Sequence, residues 1–145
     1  MRTPRGFTLI EVLVAIAVAA VAMRMVMRPA ATYLTRSRTR KAASVVAGDL
    51  DLARSLAVRQ RQPVRITFTA GSTQYTLGNR AGSTIYKTVA LGTASDYRIP
   101  SVQFAPATVD FYPSGVASSA LTVTLTAGVS TRTVTLTRVG LIRAP

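Results

Sequence analysis

The chain has 145 residues, with 18 lysines and arginines against five acids and a net charge of +13. It contains no cysteine and no histidine, which excludes disulfides, thiolate nucleophiles, histidine bases and the usual transition-metal ligands. We therefore expect no catalytic residue, no metal site, no cofactor and no enzyme activity. The positive charge suits a polyanion such as nucleic acid or anionic lipid, or else reflects a solvated surface.

A nearly uninterrupted apolar segment follows the six N-terminal residues MRTPRG. The only polar side chains in it before Arg24 are Thr8 and Glu11. As a helix, residues 7–28 would be about 30 Å long, enough to span a bilayer. Two arginines precede the segment, so the positive-inside rule places its start in the cytoplasm and the rest of the chain outside.

A cleaved secretory signal peptide is the alternative interpretation of this segment. The sequence AVA, at 17–19 or at 20–22, would fit a small-x-small cleavage site. Glu11 would then fall inside the apolar core, which signal peptides avoid, and Gly6 would have no role. A membrane anchor that stays on the protein explains both residues better.

The stretch GFTLIEVLVAIAV, residues 6–18, resembles the processing site of type IV pilins and of the pseudopilins of type II secretion. The resemblance implies that a membrane-bound prepilin peptidase cuts between Gly6 and Phe7 and then N-methylates Phe7. Glu11 would be the fifth residue of the mature chain. In these families that glutamate pairs with the terminal amine of a neighbouring subunit during assembly.

The energetics of Glu11 agree with such a role. A charged side chain at the centre of a bilayer costs about 2.5–3.5 kcal/mol, and less near the interface. A carboxylate one turn from a helix N-terminus is also favoured by the helix dipole. The alternative is a glutamate that is merely tolerated at the interface.

A long helix is predicted beyond the apolar segment. Pro29 should cause a kink or local melting at about residues 25–30, or else separate two helices. We predict helix over residues 30–61, with Pro63 ending it. Apolar residues recur there at steps of three and four and form a stripe suited to packing on a sheet, namely Ala43, Val46, Ala47, Leu50, Ala53, Leu56 and Ala57.

The end of this helix carries a second resemblance. The sequence DLDLARSLAVRQRQPVRITF is similar to the helix-to-strand region of the minor pseudopilin H and FimT group. The shared pattern, L-x-x-A-R-x-x-A-V followed by a valine that begins a strand, falls on Leu50 or Leu52, Ala53, Arg54, Ala57, Val58 and Val64. The resemblance implies a minor subunit rather than a major pilin.

Two groups of basic residues lie towards the two ends of the predicted amphipathic helix. Arg36, Arg38, Arg40 and Lys41 lie just past the apolar segment, where they could touch lipid phosphates or an acidic neighbour, or form a solvated face. Arg59, Arg61 and Arg65 surround the helix–strand junction.

The remainder of the chain has the composition of strands. Thr, Val, Ile, Leu and Tyr dominate after Pro63, with Gly and Pro between the runs. We predict strands near 64–69, 74–78, 84–91, 100–104, 108–112, 121–126 and 131–138. The last two alternate apolar residues with threonine, which indicates an antiparallel hairpin that turns near Gly128 and buries one face. FYPSG, residues 111–115, reads as a strand end and a turn.

These elements predict an α+β protein with a long N-terminal helix packed on a small antiparallel sheet, the pilin-like lollipop that the resemblance implies. The expected division is a leader at 1–6, a transmembrane and assembly helix at 7–28, an amphipathic helix at 29–62 and a β head at 63–145. We expect a single-pass inner-membrane protein with its N-terminus cytoplasmic and its head periplasmic.

The predicted function is that of a minor pseudopilin or minor pilin, for type II protein secretion or for type IV pilus biogenesis. Its expected partners are prepilin peptidase, other pilin or pseudopilin subunits and the inner membrane. No residue distinguishes the two machines, and the position in the filament, the tip included, stays open.

Capture of DNA for natural transformation is the alternative function. Some FimT-like minor pilins use arginines near the C-terminus for DNA uptake. Here Arg132, Arg138 and Arg143 are the candidate contacts. The tail departs from the G-R-x-R pattern of DNA-binding members, since Leu141 replaces the first arginine after Gly140. Three phosphate contacts would give weak, strongly salt-dependent binding.

Overall fold

The computed structural model describes residues 8–69 and 71–144, and for residues 25–30 it describes the backbone only. This part of the chain forms helix α1 Leu9–Gln60 and strands β1 Val64–Phe68, β2 Gln74–Asn79, β3 Ile85–Ala90, β4 Ser101–Ala105, β5 Thr108–Phe111, β6 Leu121–Ala127, β7 Ser130–Leu136 and β8 Ile142–Arg143. It falls into two compact units that divide between Leu34 and Thr35.

Helix α1 is a single element. It passes through Pro29 without a break, so neither local melting nor a second helix start is found there. A proline removes one backbone hydrogen bond, and the hydrogen bonds of the turns on either side can still hold the helix together. The helix ends one residue earlier than predicted, because Arg61 adopts a left-handed φ of 52° and Pro63 follows. Arg59 in the last turn complements the negative end of the helix dipole.

The core of the second unit lies against one face of α1. The apolar helix residues that are at most 1% exposed are Ala42, Ala43, Val46, Leu50, Ala53 and Ala57. This agrees with the predicted stripe, except that Ala47 and Leu56 are only partly buried and Ala42 joins the core. One hydrophobic cluster connects the helix face with residues from both sheets. Because most of these helix residues are alanines, the strands can approach the helix closely.

Two four-stranded antiparallel sheets replace the single sheet that was expected. The first has the strand order β3-β2-β1-β5 and the second β4-β6-β7-β8. Strands β1 to β7 fall where they were predicted, with bounds that differ by no more than two residues. Strand β8 was missed, since two residues after a turn give no alternating pattern. The α+β class with a long helix packed on antiparallel sheet is confirmed.

The predicted hairpin is present in β6 and β7, which turn at Gly128 and Val129. Its apolar residues face the core, where Val123, Leu125 and Val134 are fully buried. Threonine lies opposite threonine on the other face, in the pairs Thr122–Thr135, Thr124–Thr133 and Thr126–Thr131. The FYPSG turn is also found, closed by a hydrogen bond from the Gly115 amide to the Tyr112 carbonyl.

Candidate functional site

The start of α1 is capped by its own sequence. The Thr8 carbonyl accepts hydrogen bonds from the amides of Glu11 and Val12, and the Glu11 amide lies 3.4 Å from the Thr8 hydroxyl. Thr8 and Glu11 hold the first and last positions of T-x-x-E, the capping-box pattern that begins helices. This cap was not predicted, although both residues of the pattern stand in the sequence. The structure shows the Thr8 half of this cap, made through the Glu11 backbone amide.

The first unit exposes an unusual amount of apolar surface. Every side chain from Thr8 to Arg24 is exposed. The large apolar ones are Leu9, Ile10, Val12, Leu13, Val14, Ile16, Val18, Val21 and Met23. A shallow groove beside the Glu11 carboxylate is lined by Val12, Ala15, Ile16 and Ala19. Contiguous apolar surface of this kind marks contact with lipid or with another protein.

Two predictions at this end lie wholly or partly outside the described residues. Gly6 and Phe7, the expected cleavage and methylation positions, precede the first described residue. The predicted membrane span, residues 7–28, includes Phe7 and side chains that are not described. Among the residues that are described, no helix reaches the length and hydropathy required of a membrane span.

A polar triad centred on the buried Asp49 ties α1 to the first sheet. The Tyr75 hydroxyl donates to Asp49 Oδ2 at 2.7 Å, and Lys87 Nζ lies 2.5 Å from Asp49 Oδ1. The Asp49 side chain is 6% exposed, whereas that of Lys87 is 42% exposed and keeps contact with water. Burial, followed by the hydrogen bond to Asp49, raises the pKa of Tyr75 far above its usual range. The phenol therefore stays protonated and stays a donor.

A second charged cluster joins β1, β5 and the residue after β2. Arg65 and Asp110 are cross-strand neighbours, and the guanidinium holds both carboxylate oxygens, at 2.6 and 2.9 Å. Arg80 Nε lies 3.3 Å from the same carboxylate. The hydrogen bond from Arg65 lowers the pKa of Asp110, against an opposing effect of burial. The two arginines place a net positive charge at this edge of the first sheet.

Arg54, the arginine of the A-R-x-x-A-V pattern, reaches from α1 to two turns of the head. One guanidinium nitrogen, Nη1, lies 3.4 Å from the Gly140 carbonyl oxygen. The side chain also covers Gly115, since a Cβ built there would lie 3.5 Å from Arg54 Nε. Gly140 has a φ of 85°, and a Cβ on it would lie 2.6 Å from the Gly115 carbonyl oxygen. Gly140 is therefore needed for the two turns to fit together, and Gly115 is favoured by its φ of 79°.

The three arginines proposed to contact DNA are not assigned to one face of the second sheet. Arg132 lies on the side of β7 that carries Val134, whereas Arg143 pairs with Thr135 on the opposite side. Arg138 is exposed in the turn after β7. The register therefore gives no support to a single site formed by all three arginines. Side chains alternate between the faces of a sheet, and the β7–β8 register assigns Arg132 and Arg143 to different faces.

The acids of the described residues are also dispersed, and no group of three or more of them is placed to bind a metal ion. Asp49 and Asp110 serve separate clusters, and Glu11 lies in the other compact unit.

The family model described as type II transport protein GspH matches residues 42–140. The chain belongs to this family. A second model, the prokaryotic N-terminal methylation motif, matches residues 1–26. The GspH match covers α1 from Ala42 onward and nearly the whole head, including the triad, the Arg65–Asp110 pair and the Arg54 contacts.

Solved structures of minor pilins and pseudopilins share the GspH fold of this chain. Two crystal forms of the type IV minor pilin FimU of Pseudomonas aeruginosa match with TM-scores of 0.59 and 0.64 at 18% and 17% identity. The matches cover 72% and 78% of this chain and 90% and 92% of FimU. The minor pseudopilin EpsH from the type 2 secretion system of Vibrio cholerae matches with a TM-score of 0.55 at 15% identity, over 74% of this chain and 96% of EpsH. No curated protein sequence matches significantly.

Membership of the GspH family, together with the methylation motif, identifies the chain as a minor pilin or pseudopilin of type II secretion or type IV pili. It is a membrane-anchored envelope protein of a family of structural subunits. Membership also implies assembly with other pilin subunits and processing by prepilin peptidase. These comparisons confirm the family, the fold and the general function inferred from the sequence.

Proposed function

We propose that this GspH-family chain is made with a six-residue leader and is cut between Gly6 and Phe7. Residues 7–28 anchor it in the inner membrane, with the N-terminus cytoplasmic and the head, residues 63–145, periplasmic. Phe7 is N-methylated after the cut, and the mature chain is built into a filament through its N-terminal helix. The observation that carries the proposal is the N-terminal methylation motif at residues 1–26, ahead of the GspH region at 42–140 in the same chain.

The exposed apolar surface of α1 supports assembly through this helix. A helix that is apolar on all sides needs lipid or other helices around it, because water disfavours each exposed apolar side chain. The side chains between Leu9 and Met23 meet this description. The helix is therefore suited to move from the membrane into a bundle of like helices without first gaining a new apolar face.

Glu11 supplies the one acidic side chain of the apolar segment. Only its backbone amide takes part in the cap at Thr8, and its carboxylate forms no ion pair with any described residue. The carboxylate is thus available to a cation from outside the chain. The terminal amine of a neighbouring mature subunit is such a cation, and pairing with it would fix the axial register of two subunits.

The role of this subunit in the filament is mechanical, with no catalytic step. Its contribution is to prime the filament or to add to it, so that the filament can extend or push cargo.

A substitution series at Glu11 tests this assignment because it separates the docking charge from the helix cap. Glutamine at this position can still complete a capping box, but it carries no charge. We expect Glu11→Gln and Glu11→Ala both to be processed normally. Filament incorporation of each should fall about tenfold, as expected for the loss of one charge-assisted hydrogen bond. Incorporation is measured as the share of processed subunit that crosslinks to neighbouring subunits in cells.

Glu11→Asp is the matched control that keeps the charge. Normal incorporation of Glu11→Gln together with loss in Glu11→Ala would assign Glu11 to helix capping alone and contradict the docking role. Failure of all variants to be processed would place the defect before assembly.

A further inference from the structure

A polar pocket of about 500 Å³ lies between α1 and the loop that joins β3 to β4. The helix contributes Arg38, and the loop contributes Thr93, Ala94, Ser95, Asp96 and Arg98. All of these residues belong to the same compact unit. None of them takes part in the triad, the Arg65–Asp110 cluster or the Arg54 contacts.

The loop that forms this pocket is held in place at both ends. Leu91 and Ile99 are fully buried, and the Ile99 amide donates to the Leu91 carbonyl at 2.9 Å. Within the loop, the Ser95 hydroxyl donates to the Gly92 carbonyl at 2.7 Å, and the Arg98 amide donates to the Ser95 carbonyl at 3.2 Å. These bonds fix the loop before any ligand arrives, so little ordering cost remains for binding.

The charged groups of the pocket have no partners among the described residues. Neither Arg38 nor Arg98 forms an ion pair, and the Asp96 carboxylate lies beyond 4.0 Å from both guanidinium groups. Arg98 also has a left-handed φ of 51°, which is uncommon for a residue other than glycine. Two free guanidinium groups suit a phosphate, and one free carboxylate suits an ammonium group.

We propose that this pocket binds the phosphoethanolamine headgroup of a membrane lipid. Arg38 and Arg98 hold the phosphodiester, and Asp96 accepts hydrogen bonds from the primary amine. The Thr93 hydroxyl is a further donor for the phosphate. Because Asp96 is present, a ligand that carries both charges fits better than one that is only anionic.

The position of the pocket in the chain favours a lipid as the source of this headgroup. Arg38 follows the end of the proposed span, residues 7–28, by ten residues. Chain geometry therefore limits its distance from the span to about 36 Å, whatever the arrangement of the two units. Arg36, Arg40 and Lys41 are exposed on the same stretch of α1, and basic residues near a membrane surface are attracted to anionic headgroups. This inference rests on the proposed membrane anchoring.

Binding of a headgroup would hold the head on the membrane surface before the subunit joins a filament. Incorporation of the subunit into a filament would then require release of the lipid. Lipid binding in the pocket would therefore stabilise the membrane-bound subunit relative to the assembled one.

The test uses the full chain in detergent and a water-soluble probe, glycerophosphoethanolamine, with binding followed by ³¹P NMR of the probe. Glycerophosphocholine, which has the same phosphodiester but no N–H donor, is the comparison ligand. We expect glycerophosphoethanolamine to bind about tenfold more tightly, as for one charge-assisted hydrogen bond. Arg38→Gln and Arg98→Gln should each weaken it by about tenfold, and Asp96→Asn should abolish the preference between the two ligands.

Arg132→Gln is the matched control, since it removes the same charge from a different part of the head. Equal binding by Arg38→Gln, Arg98→Gln and Arg132→Gln would overturn the site. A third outcome is that inorganic phosphate competes as well as glycerophosphoethanolamine and that Asp96→Asn has no effect. The pocket would then be a phosphate site, and the headgroup assignment would be overturned. An acidic peptide that displaces the probe more strongly than phosphate would favour a protein partner and also overturn it.

A second arm distinguishes membrane lipid from free ligand and from failure of the proposed function. The full chain is placed in nanodiscs of phosphatidylethanolamine or of phosphatidylcholine. We expect the backbone amides of residues 93–98 to exchange hydrogen more slowly in phosphatidylethanolamine, and Arg38→Gln should remove this difference. In cells, Arg38→Gln should remain membrane-bound and be processed normally. Loss of membrane association in the unaltered chain would contradict the anchoring itself, whereas loss of the exchange difference alone would contradict only the pocket.

Discussion

Asp49 shows how one residue acquires its role from its surroundings. The sequence places Asp49 and Asp51 two positions apart, which puts them on different helix faces. In the structure Asp49 is buried and accepts hydrogen bonds from Tyr75 and Lys87, whereas Asp51 is exposed. The helix period predicts the difference in direction. The identity of the partners depends on two strands that lie far along the chain.

The Tyr75 hydroxyl provides a test at this scale. Tyr75→Phe removes a buried hydrogen bond to a charged group and should lower the free energy of unfolding by about 1.5–3 kcal/mol. It should also change the response to alkali. The pKa of Tyr75 is raised in the folded protein, so above about pH 10 the unfolded state loses a proton that the folded state keeps. Stability in the unaltered chain should therefore fall by about 1.4 kcal/mol per pH unit there through this group.

Urea unfolding of the unit Thr35–Pro145 between neutral pH and about pH 11 measures both effects. Tyr86→Phe is the matched control, because Tyr86 donates to Gln60 at 2.7 Å in an exposed position. Tyr86→Phe should lower the free energy of unfolding less than Tyr75→Phe does. Its stability should still fall as the pH rises above about 10. An unchanged alkaline slope in Tyr75→Phe would contradict the assignment of that slope to Tyr75.

At the scale of elements, the helix and the two turns of the head are fitted together by Arg54, Gly115 and Gly140. The sequence motif identifies Arg54 and the tail pattern identifies Gly140, but nothing in either suggests that they touch. The structure assigns both to one contact between α1 and the turns. The motif arginine therefore has a packing role, and the tail glycine is required by backbone geometry.

Gly140→Ala tests this contact. The new methyl group would clash with the Gly115 carbonyl and would sit at a left-handed φ, so we expect a loss of about 2–4 kcal/mol of unfolding free energy. Gly128→Ala is the matched control, because Gly128 also has a positive φ but no atom within 4 Å of the built Cβ. It should cost only the backbone term, about 1–2 kcal/mol. Equal shifts of the urea midpoint in the two variants would show that the contact with Gly115 contributes nothing.

The strands illustrate which element-level features a sequence exposes. Alternation of threonine with valine or leucine is strong in β6 and β7, and their hairpin was predicted with its turn and its buried face. The partition into two sheets was not predicted. Strand β5 pairs directly with β1, although three strands separate them in the sequence. Long-range pairing of that kind leaves no local pattern.

At the scale of the whole molecule, the chain combines an exposed apolar helix with a small packed head, in the order that processing from the N-terminus requires. Gly6→Leu tests this order. A side chain at the cut site should block the peptidase, so the chain should keep residues 1–6 and fail to enter filaments. Intact mass of the membrane-associated protein measures leader retention.

Thr3→Leu is the control for Gly6→Leu, since it adds the same side chain to the leader away from the cut. Its leader should be removed normally. Removal of the leader from Gly6→Leu at the usual position would refute the assigned cut between Gly6 and Phe7.

The amino-acid sequence was sufficient to predict the family, the helix and seven of the strands. These are local properties, carried by a short motif, by a period of 3.6 or 2 residues, and by glycine and proline at turns. Which side chains meet depends on the tertiary fold. The fold separates Arg132 from Arg143, joins Asp49 to Tyr75 and places Arg38 beside Arg98 in one pocket. Strand register and the packing of α1 set those distances, and neither is written in any single segment.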